Sequence, residues 1–442
     1  MGWLCLSLAV FSTTAAVADE GLWSRQTLTG DWGGFRATLE ERGIRLYGSY
    51  AGEVVGNLSG GIRRGTIYES LVELDAAVDL DKLVGWKGAT FFANTWIVQG
   101  RGPSTNYIGT FNSVSGIEAD RSARLHNLWL QQETEDKRFS LRLGQLAADD
   151  EFFISDTAVP FFHSTFSWPT AVSFNMPSGG PAAPFATPGV RIKAVLSDRF
   201  SLLAAVFNGD PTGAGLGLIG NRDRSGLAFR LNSDPLFIVE GAYATGSEKS
   251  EPDLPLTLKL GGWAHSGRFA DQRFDTQGRS LADPASTGNA AQRKGNFGLY
   301  FVADKTLWRD GEGPSIGSFF RLGWSPKDRN LVGWYADAGV TYQGFRSGDL
   351  IGFAVSYTRI GDNARALDRD AVGFSGVNRV RRDDETVLEA TYLAKLTPWW
   401  SLQPAIQFIR HPGGHIANPT DSTGRNPIRN VFLLALRTSI TF

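Results

Sequence analysis

Two spacings in this 442-residue chain look like reactive or ligand-binding motifs, and neither is completed by its surroundings. Gly215-Leu216-Gly217-Leu218-Ile219-Gly220 matches a dinucleotide fingerprint by letter. That fingerprint works only where a strand leads in and a helix leads out, so that backbone N–H groups meet the pyrophosphate, and neither flank qualifies. His411-Pro412-Gly413-Gly414-His415 offers two imidazoles, but the Pro-Gly-Gly between them makes a turn and no further metal ligands accompany them. Nucleophilic catalysis needs an activated nucleophile beside a base. Of 5 histidines only His265 has an assignable facing, and no serine can be placed next to it. The residues predict no enzyme, no cofactor and no bound metal.

The chemistry that remains is non-covalent, and it sits at alternate positions. Between 66 and 80, Val72, Leu74, Ala76, Val78 and Leu80 alternate with Glu69, Leu71, Glu73, Asp75, Ala77 and Asp79. In an extended segment successive side chains point to opposite faces, so the acids share one face. Leu141 and Leu143 set Arg142 on the polar face, Val190 and Ile192 set Arg191 and Lys193, and Leu227, Phe229 and Leu231 set Arg230. Phe237 and Val239 do the same for Glu240, and Leu256, Leu258 and Leu260 for Lys259, Trp263 and His265. Leu322 and Trp324 do so for Arg321, and Leu388 and Tyr392 for Glu389 and Lys395. A polar face carrying both signs of charge can pair with itself. It can also exchange a sugar's water shell for wall contacts, because a sugar's hydroxyls both donate and accept.

The elements that position these residues are strands facing lipid. At the C-terminus, Phe432, Leu434, Leu436, Ile440 and Phe442 alternate with Arg437, Ser439 and Thr441. Near the bilayer midplane an arginine on the lipid face costs roughly 2–4 kcal/mol, so Arg437 must face water. A lone strand cannot cross lipid, since its backbone donors and acceptors need partners, so the chain must close an all-β, antiparallel transmembrane barrel. The clearest strands are predicted at 66–80, 138–146, 189–197, 225–232, 235–244, 255–266, 295–305, 316–325, 332–343, 349–360, 385–397, 400–410 and 429–441. Less regular ones fall at 44–56, 87–99, 123–134 and 199–208. The tally is 17, whereas a bacterial barrel with both ends on one side needs an even number, and the alternation of short and long connections fails between 199 and 255.

One connection is unlike the others. Residues 147–188 carry Asp149-Asp150-Glu151-Phe152-Phe153, Pro160-Phe161-Phe162 and Phe166-Ser167-Trp168-Pro169. That apolar weight would be costly on an exposed loop, so the segment is expected to fold into the barrel and narrow it. The residues expected to line the conduit are Glu73, Asp75, Arg142, Arg191, Glu240, Lys259, Arg321 and Glu389, with Trp168 or Trp263 offering a sugar-stacking face.

Composition agrees. Hydrophobic residues make up 42% and the mean hydropathy is −0.16. No segment after residue 18 offers about 18 consecutive apolar residues, which excludes helical spans. The 52 glycines, 29 phenylalanines and 13 tryptophans suit twisted strands with aromatic girdles. A net charge of −1 gives no reason to expect nucleic acid as a partner. Residues 1–18 read as a secretory signal ending at Ala16-Val17-Ala18, although no Lys or Arg follows Met1. Cys5, the one cysteine, falls within it, so no disulfide or cysteine metal site is expected in the mature chain. Residues 19–43 read as a periplasmic segment in which Asp31 caps a short helix that Gly43 ends, and 44–442 as the barrel.

These residues together resemble the carbohydrate-selective porins of the OprB family. The resemblance is carried by Leu28-Thr29-Gly30-Asp31-Trp32-Gly33-Gly34 with Arg36, Leu39 and Gly43, and by Arg142-Leu143-Gly144-Gln145 followed by Glu151-Phe152. It continues in Trp168-Pro169 with Pro188-Gly189-Val190-Arg191, Phe319-Phe320-Arg321-Leu322-Gly323-Trp324-Ser325-Pro326 and Glu389-Ala390-Thr391-Tyr392. Leu402-Gln403-Pro404-Ala405-Ile406-Gln407-Phe408-Ile409 and Pro412-Gly413-Gly414 complete it. The resemblance implies a barrel of 16 strands in the outer membrane of a Gram-negative bacterium, surrounded by its lipid. It implies passive admission of glucose and related sugars through an eyelet of loop and strand residues, and it leaves a homotrimer open. The chain departs from the family at Gly213–Gly220 and in the long 361–384 connection. The alternatives are a general, non-selective diffusion porin, and a barrel serving as a mount for an enzyme or adhesin.

Overall fold

The computed structural model describes residues 21–442 apart from 214, 216–218, 247–253 and 347. The expected signal at 1–18, with Cys5, lies outside the described residues, as does half of the Gly213–Gly220 stretch. Alternating patterning has produced a closed antiparallel barrel of 16 strands, each paired with its sequence neighbours and the last with the first. They are β1 (Ile44–Gly61), β2 (Gly65–Asp79), β3 (Ala89–Gln99), β4 (Ser122–Glu133), β5 (Phe139–Leu146) and β6 (Thr187–Val195). Next come β7 (Phe200–Asn208), β8 (Pro235–Thr245), β9 (Leu256–Asp275), β10 (Ala290–Arg309) and β11 (Ser315–Trp324). β12 (Val332–Gln343), β13 (Leu350–Ile360), β14 (Asp384–Thr397), β15 (Trp400–Arg410) and β16 (Arg429–Thr441) complete the wall.

Closure fixes the register. β1 meets β16 with Glu53 opposite Arg437, so an acid from the first strand faces the cation of the last. Arg437 donates to Glu53 Oε2 at 3.0 Å and to Ser115 Oγ at 2.9 Å, inside the barrel. Phe432, Leu434 and Leu436 face outward and are exposed, on the face that a membrane barrel turns to lipid.

Among the described residues the α-helices are few and short: α1 (Phe35–Glu41), α2 (Leu80–Val84), α3 (Thr170–Ser173), α4 (Asp362–Ser375) and a single turn at Pro412–His415. Asp31 Oδ1 accepts the N–H of Ala37 at 3.1 Å, in the first turn of α1. Gly43 ends that helix in the left-handed region at φ 85°, where a Cβ would stand 2.7 Å from the Asp79 carbonyl oxygen. With the start of β1 and the end of β16 on one rim, the opposite rim carries the long connections, alongside the short ones at 62–64 and 325–331.

The surplus strand of the sequence tally is 225–232, within the stretch where the alternation of rims fails. Leu227, Phe229 and Leu231 alternate as a strand would, yet no strand pairs with them. Gly226 turns the chain at φ 65°, and the Ser225 carbonyl accepts the Leu125 N–H at 2.9 Å while Gly226 accepts from Gln145 Nε2 at 3.0 Å. The segment thus belongs to the 209–234 connection and covers the upper ends of β4 and β5, and Arg230 is not on an inward strand face. Asn232-Ser233-Asp234-Pro235 is correspondingly the end of a long loop. β9 and β10 also run further than the alternation shows, forming a hairpin that extends past the neighbouring strand ends.

Replacing Leu434 by Arg puts a cation on the outward face of β16, between Gly56 of β1 and Ile406 of β15. It should lower the unfolding free energy in lipid vesicles, measured by urea titration, by about 2–4 kcal/mol. An unchanged value would mean this face does not meet lipid.

Candidate functional site

The connection between β5 and β6 enters the barrel, and inward polar residues of the wall hold its backbone. A buried N–H or C=O without a partner costs about 1–3 kcal/mol, so an infolded segment needs an acceptor or donor for each. Glu389 on β14 accepts the N–H groups of Phe162 and His163 at 2.5 and 2.8 Å. Glu240 on β8 accepts the Phe153 N–H and the Tyr300 hydroxyl, each at 2.9 Å. Lys259 on β9 donates to the Ile154 carbonyl at 2.9 Å, and Asp304 on β10 accepts from Ser155 Oγ at 2.6 Å and the Thr157 N–H at 3.2 Å. Gln403 on β15 donates to the Pro160 carbonyl at 2.7 Å.

Arg321 is the centre of this set. Its side chain is fully buried, pairs with Asp337 at 2.5 Å, and donates to the carbonyls of Phe153 (3.1 Å), Thr165 (3.2 Å) and Phe166 (2.8 Å). Planar guanidinium geometry allows one side chain to serve several acceptors at once. Tyr335 adds its hydroxyl to both Asp337 (2.7 Å) and the Thr165 carbonyl (3.0 Å). Phe152, Phe153, Phe161, Phe162 and Phe166 pack beneath, each at most 2% exposed. His163 lies in the same segment; burial pushes its pKa down to about 3, and as a neutral ring its Nδ1 accepts the Thr165 N–H at 3.2 Å.

Because the segment hangs from the β8–β15 side, the open space lies along the other. A cavity of about 560 Å³ runs from the terminal rim past Glu73, Asn94, Trp96, Trp129, Gln131, Arg142, Lys193 and Ser201, with Asp150, Glu151 and Asp156 on the segment's edge. Arg142 lies over the Trp129 ring at 3.9 Å and donates to Gln131 Oε1 at 3.0 Å. Phe92 stacks on Trp129 with centroids 5.0 Å apart. Glu151 is clamped by Arg191 at 2.8 Å and Arg142 at 3.5 Å. Burial alone would raise its pKa, but the two guanidinium charges outweigh burial and hold it below the usual carboxylate range. Its neighbour Asp150 moves the other way, raised by burial and then by the charge of Asp149.

The residues singled out in the sequence therefore divide. Glu73, Arg142, Glu240 and Lys259 line the cavity. Asp75 is buried against Asn94, and Arg191 is occupied by Glu151, Ser140 and Gln131. Arg321 and Glu389, expected to line the conduit, are buried at 0% and 3% exposure and hold the infolded segment instead. Trp168 and Trp263, expected to offer an open face, are 7% and 4% exposed within one packed cluster, and Trp168 Nε1 donates to the Gly179 carbonyl at 3.0 Å. The aromatic rings on the cavity include Tyr47, Phe92, Trp96 and Trp129. The same parity rule would have set them inward, but the strands carrying them are less regular.

A closed antiparallel barrel with a lipid-facing exterior, narrowed from within by the β5–β6 connection and by the buried part of the β3–β4 connection around Val114 and Ser115, defines a porin of the outer-membrane type. The chain belongs to the carbohydrate-selective porin, OprB family, whose description matches residues 63–442. That membership makes it a channel rather than an enzyme, with sugars as the solute class and the Gram-negative outer membrane as its place. Over 419 residues it is 24% identical to Porin B of Pseudomonas aeruginosa, covering 88% of this chain and 87% of that one. It is 22% identical over 440 residues to the putative porin QuiX of Acinetobacter baylyi, covering 92% and 94%. The high-pH structure of Pseudomonas putida OprB superposes with a TM-score of 0.82 at 22% identity, over 96% of this chain and all of that one.

Arg321→Met should destabilise the barrel by about 3–5 kcal/mol, because Asp337 is left charged and buried without a partner. It should also open residues 150–170 to added protease. The paired change Arg321→Met with Asp337→Leu should recover much of the stability but leave the segment cleavable. Wild-type stability and protease resistance in Arg321→Met would show that this arginine does not hold the segment.

Proposed function

We propose that the channel passes neutral monosaccharides, glucose among them, by passive diffusion along the β1–β7 side of the lumen. One observation carries this reading: a cavity of sugar-sized scale, about 560 Å³, has cations, anions, amides and aromatic rings on a single wall. Five cations, Arg45, Arg142, Lys193, Lys259 and Arg437, face a lumen that also contains seven carboxylates, Glu73, Asp150 and Asp156 among them, so neither sign stands alone. An anion pore needs a surplus of cations and a cation pore rings of carboxylates. A balanced wall instead offers donors and acceptors together, which suits a ring bearing hydroxyls on every side. The Phe92 and Trp129 pair adds apolar surface for the C–H face of a pyranose, with Arg142 over the Trp129 ring. Glu73, Arg142 and Lys259 are the lining residues for which we propose solute contact, while Glu240, 4% exposed and engaged by the Phe153 N–H and the Tyr300 hydroxyl, borders the conduit as an anchor of the segment. Asp75, Arg191, Arg321 and Glu389 set the shape of the wall from behind. Contacts in such a conduit must be weak, because a solute that binds tightly leaves slowly.

Liposome swelling with glucose and with a zwitterionic amino acid of similar size tests the proposal. Glucose should enter faster, and Arg142→Ala should bring the two rates together. Equal rates in the unmodified protein would make this a general diffusion porin.

A further inference from the structure

The long-loop rim carries a second cavity, separate from the conduit. It is about 700 Å³ in volume and lies between the chain after α4 and the 411–428 connection. Six arginines line it, Arg365, Arg369, Arg379, Arg381, Arg382 and Arg425, against a single carboxylate, Asp383. In a chain of net charge −1, this is a concentrated positive field.

Two of the arginines are the framework. Arg382 is paired with Asp368 at 2.6 Å and Arg365 with Asp383 at 2.9 Å, both half-buried. The others point to solvent. Arg379, Arg381 and Arg425 have no carboxylate partner among the described residues. Of the nearby acids, Asp370 pairs with Arg273 at 2.8 Å, Asp421 accepts the backbone N–H groups of Arg425 and Asn426 at 3.0 and 2.8 Å, Asp384 pairs with Arg410 at 3.0 Å and lies 3.6 Å from His411, and Asp362 lies 3.5 Å from Arg365, so none neutralises Arg379, Arg381 or the Arg425 side chain. The two histidines of His411-Pro412-Gly413-Gly414-His415 lie on the same cavity with their rings 4.4 Å apart, and His415 Nδ1 is 3.1 Å from the Arg381 carbonyl. Among the described residues no third ligand joins them in a metal-holding group, so the motif belongs to this cleft and not to a metal site.

Like charges gathered around a cavity repel, and a bound anion relieves that repulsion while accepting paired N–H bonds from guanidinium forks. We propose that this cleft binds a saccharide bearing a carboxylate or a phosphate. Two sources present that chemistry at an outer-membrane rim: a free acidic sugar, and the phosphorylated saccharide headgroup of a lipid. The site stands independently of the conduit's own preference, since none of its arginines lines the conduit.

The test uses the full protein in detergent and the variant Arg379→Gln/Arg381→Gln/Arg425→Gln. Galacturonate and galactose are titrated by calorimetry, and phosphorylated and dephosphorylated lipid A are compared by thermal shift. Removing one charge-assisted hydrogen bond weakens binding by a factor on the order of ten. Galacturonate preferred over galactose, weakening with added salt and at least about tenfold weaker in the variant, supports the cleft with a free sugar as its source. Stabilisation by phosphorylated lipid A alone, abolished in the variant, supports it with the headgroup as its source. Heat-modifiable migration and glucose swelling at the wild-type rate show that the variant is folded. The proposal is overturned if neither anion is preferred over its neutral analogue in the unmodified protein, or if the folded variant binds both as the unmodified protein does.

Discussion

The structure depends on satisfying the backbone of a forty-residue connection inside a membrane barrel. Strands solve their own problem, because each N–H and C=O finds a neighbour once the sheet closes. A segment folded into the lumen has no such ladder, and the wall must supply its partners one by one. Arg321, Glu389, Glu240, Asp304 and Gln403 do so from five strands, with Asp337 and Tyr335 keeping Arg321 charged and oriented. The asymmetry of those anchors sets the shape of the lumen. The segment lies mainly against β8–β15, with Glu151 tied back to β5 and β6, and the space left for a solute follows β1–β7 and reaches Glu240 of β8 and Lys259 of β9 at its edge.

This separates two uses of inward charge that look alike in sequence. Arg321 and Arg142 are both inward arginines on strands, yet one is sealed beneath the segment and the other rests on an aromatic ring beside the cavity. Arg142 also helps to clamp Glu151, where the segment leaves β5, so the eyelet and the anchor of its first turn share a residue. A substitution at the wall can therefore change passage in two ways, by altering a contact with solute or by releasing the segment that shapes the conduit.

The barrel was largely legible in the sequence because side-chain parity is a local property enforced by lipid on one side and water on the other. Arg437 alone fixed the facing of the last strand, and the aromatic run at 147–188 pointed to infolding. Parity does not report pairing, so Leu227, Phe229 and Leu231 passed for a strand although Gly226 turns the chain away. Nor does it report whether the inward volume is empty. Trp263 is inward and Trp168 belongs to the infolded segment, but the two pack in one cluster and neither faces the lumen, a fact that lies in contacts between residues far apart in the chain. Glu385, which accepts the N–H groups of Phe111 and Gly413, was missed for the same reason. The extra length of β9 and β10 left no alternating apolar trace at all, consistent with strands that have risen beyond the lipid.

A comparison of two isosteric single substitutions tests the division of the lumen most directly. Ser201 of β7 lines the cavity, whereas Ser356 of β13 is 2% exposed and its hydroxyl faces Thr165 of the infolded segment. In planar bilayers a bulky, water-soluble thiol reagent should lower the conductance of Ser201→Cys and leave that of Ser356→Cys unchanged. Equal block of both would mean that the β13 side is open to solvent, contradicting an infolded segment seated against it.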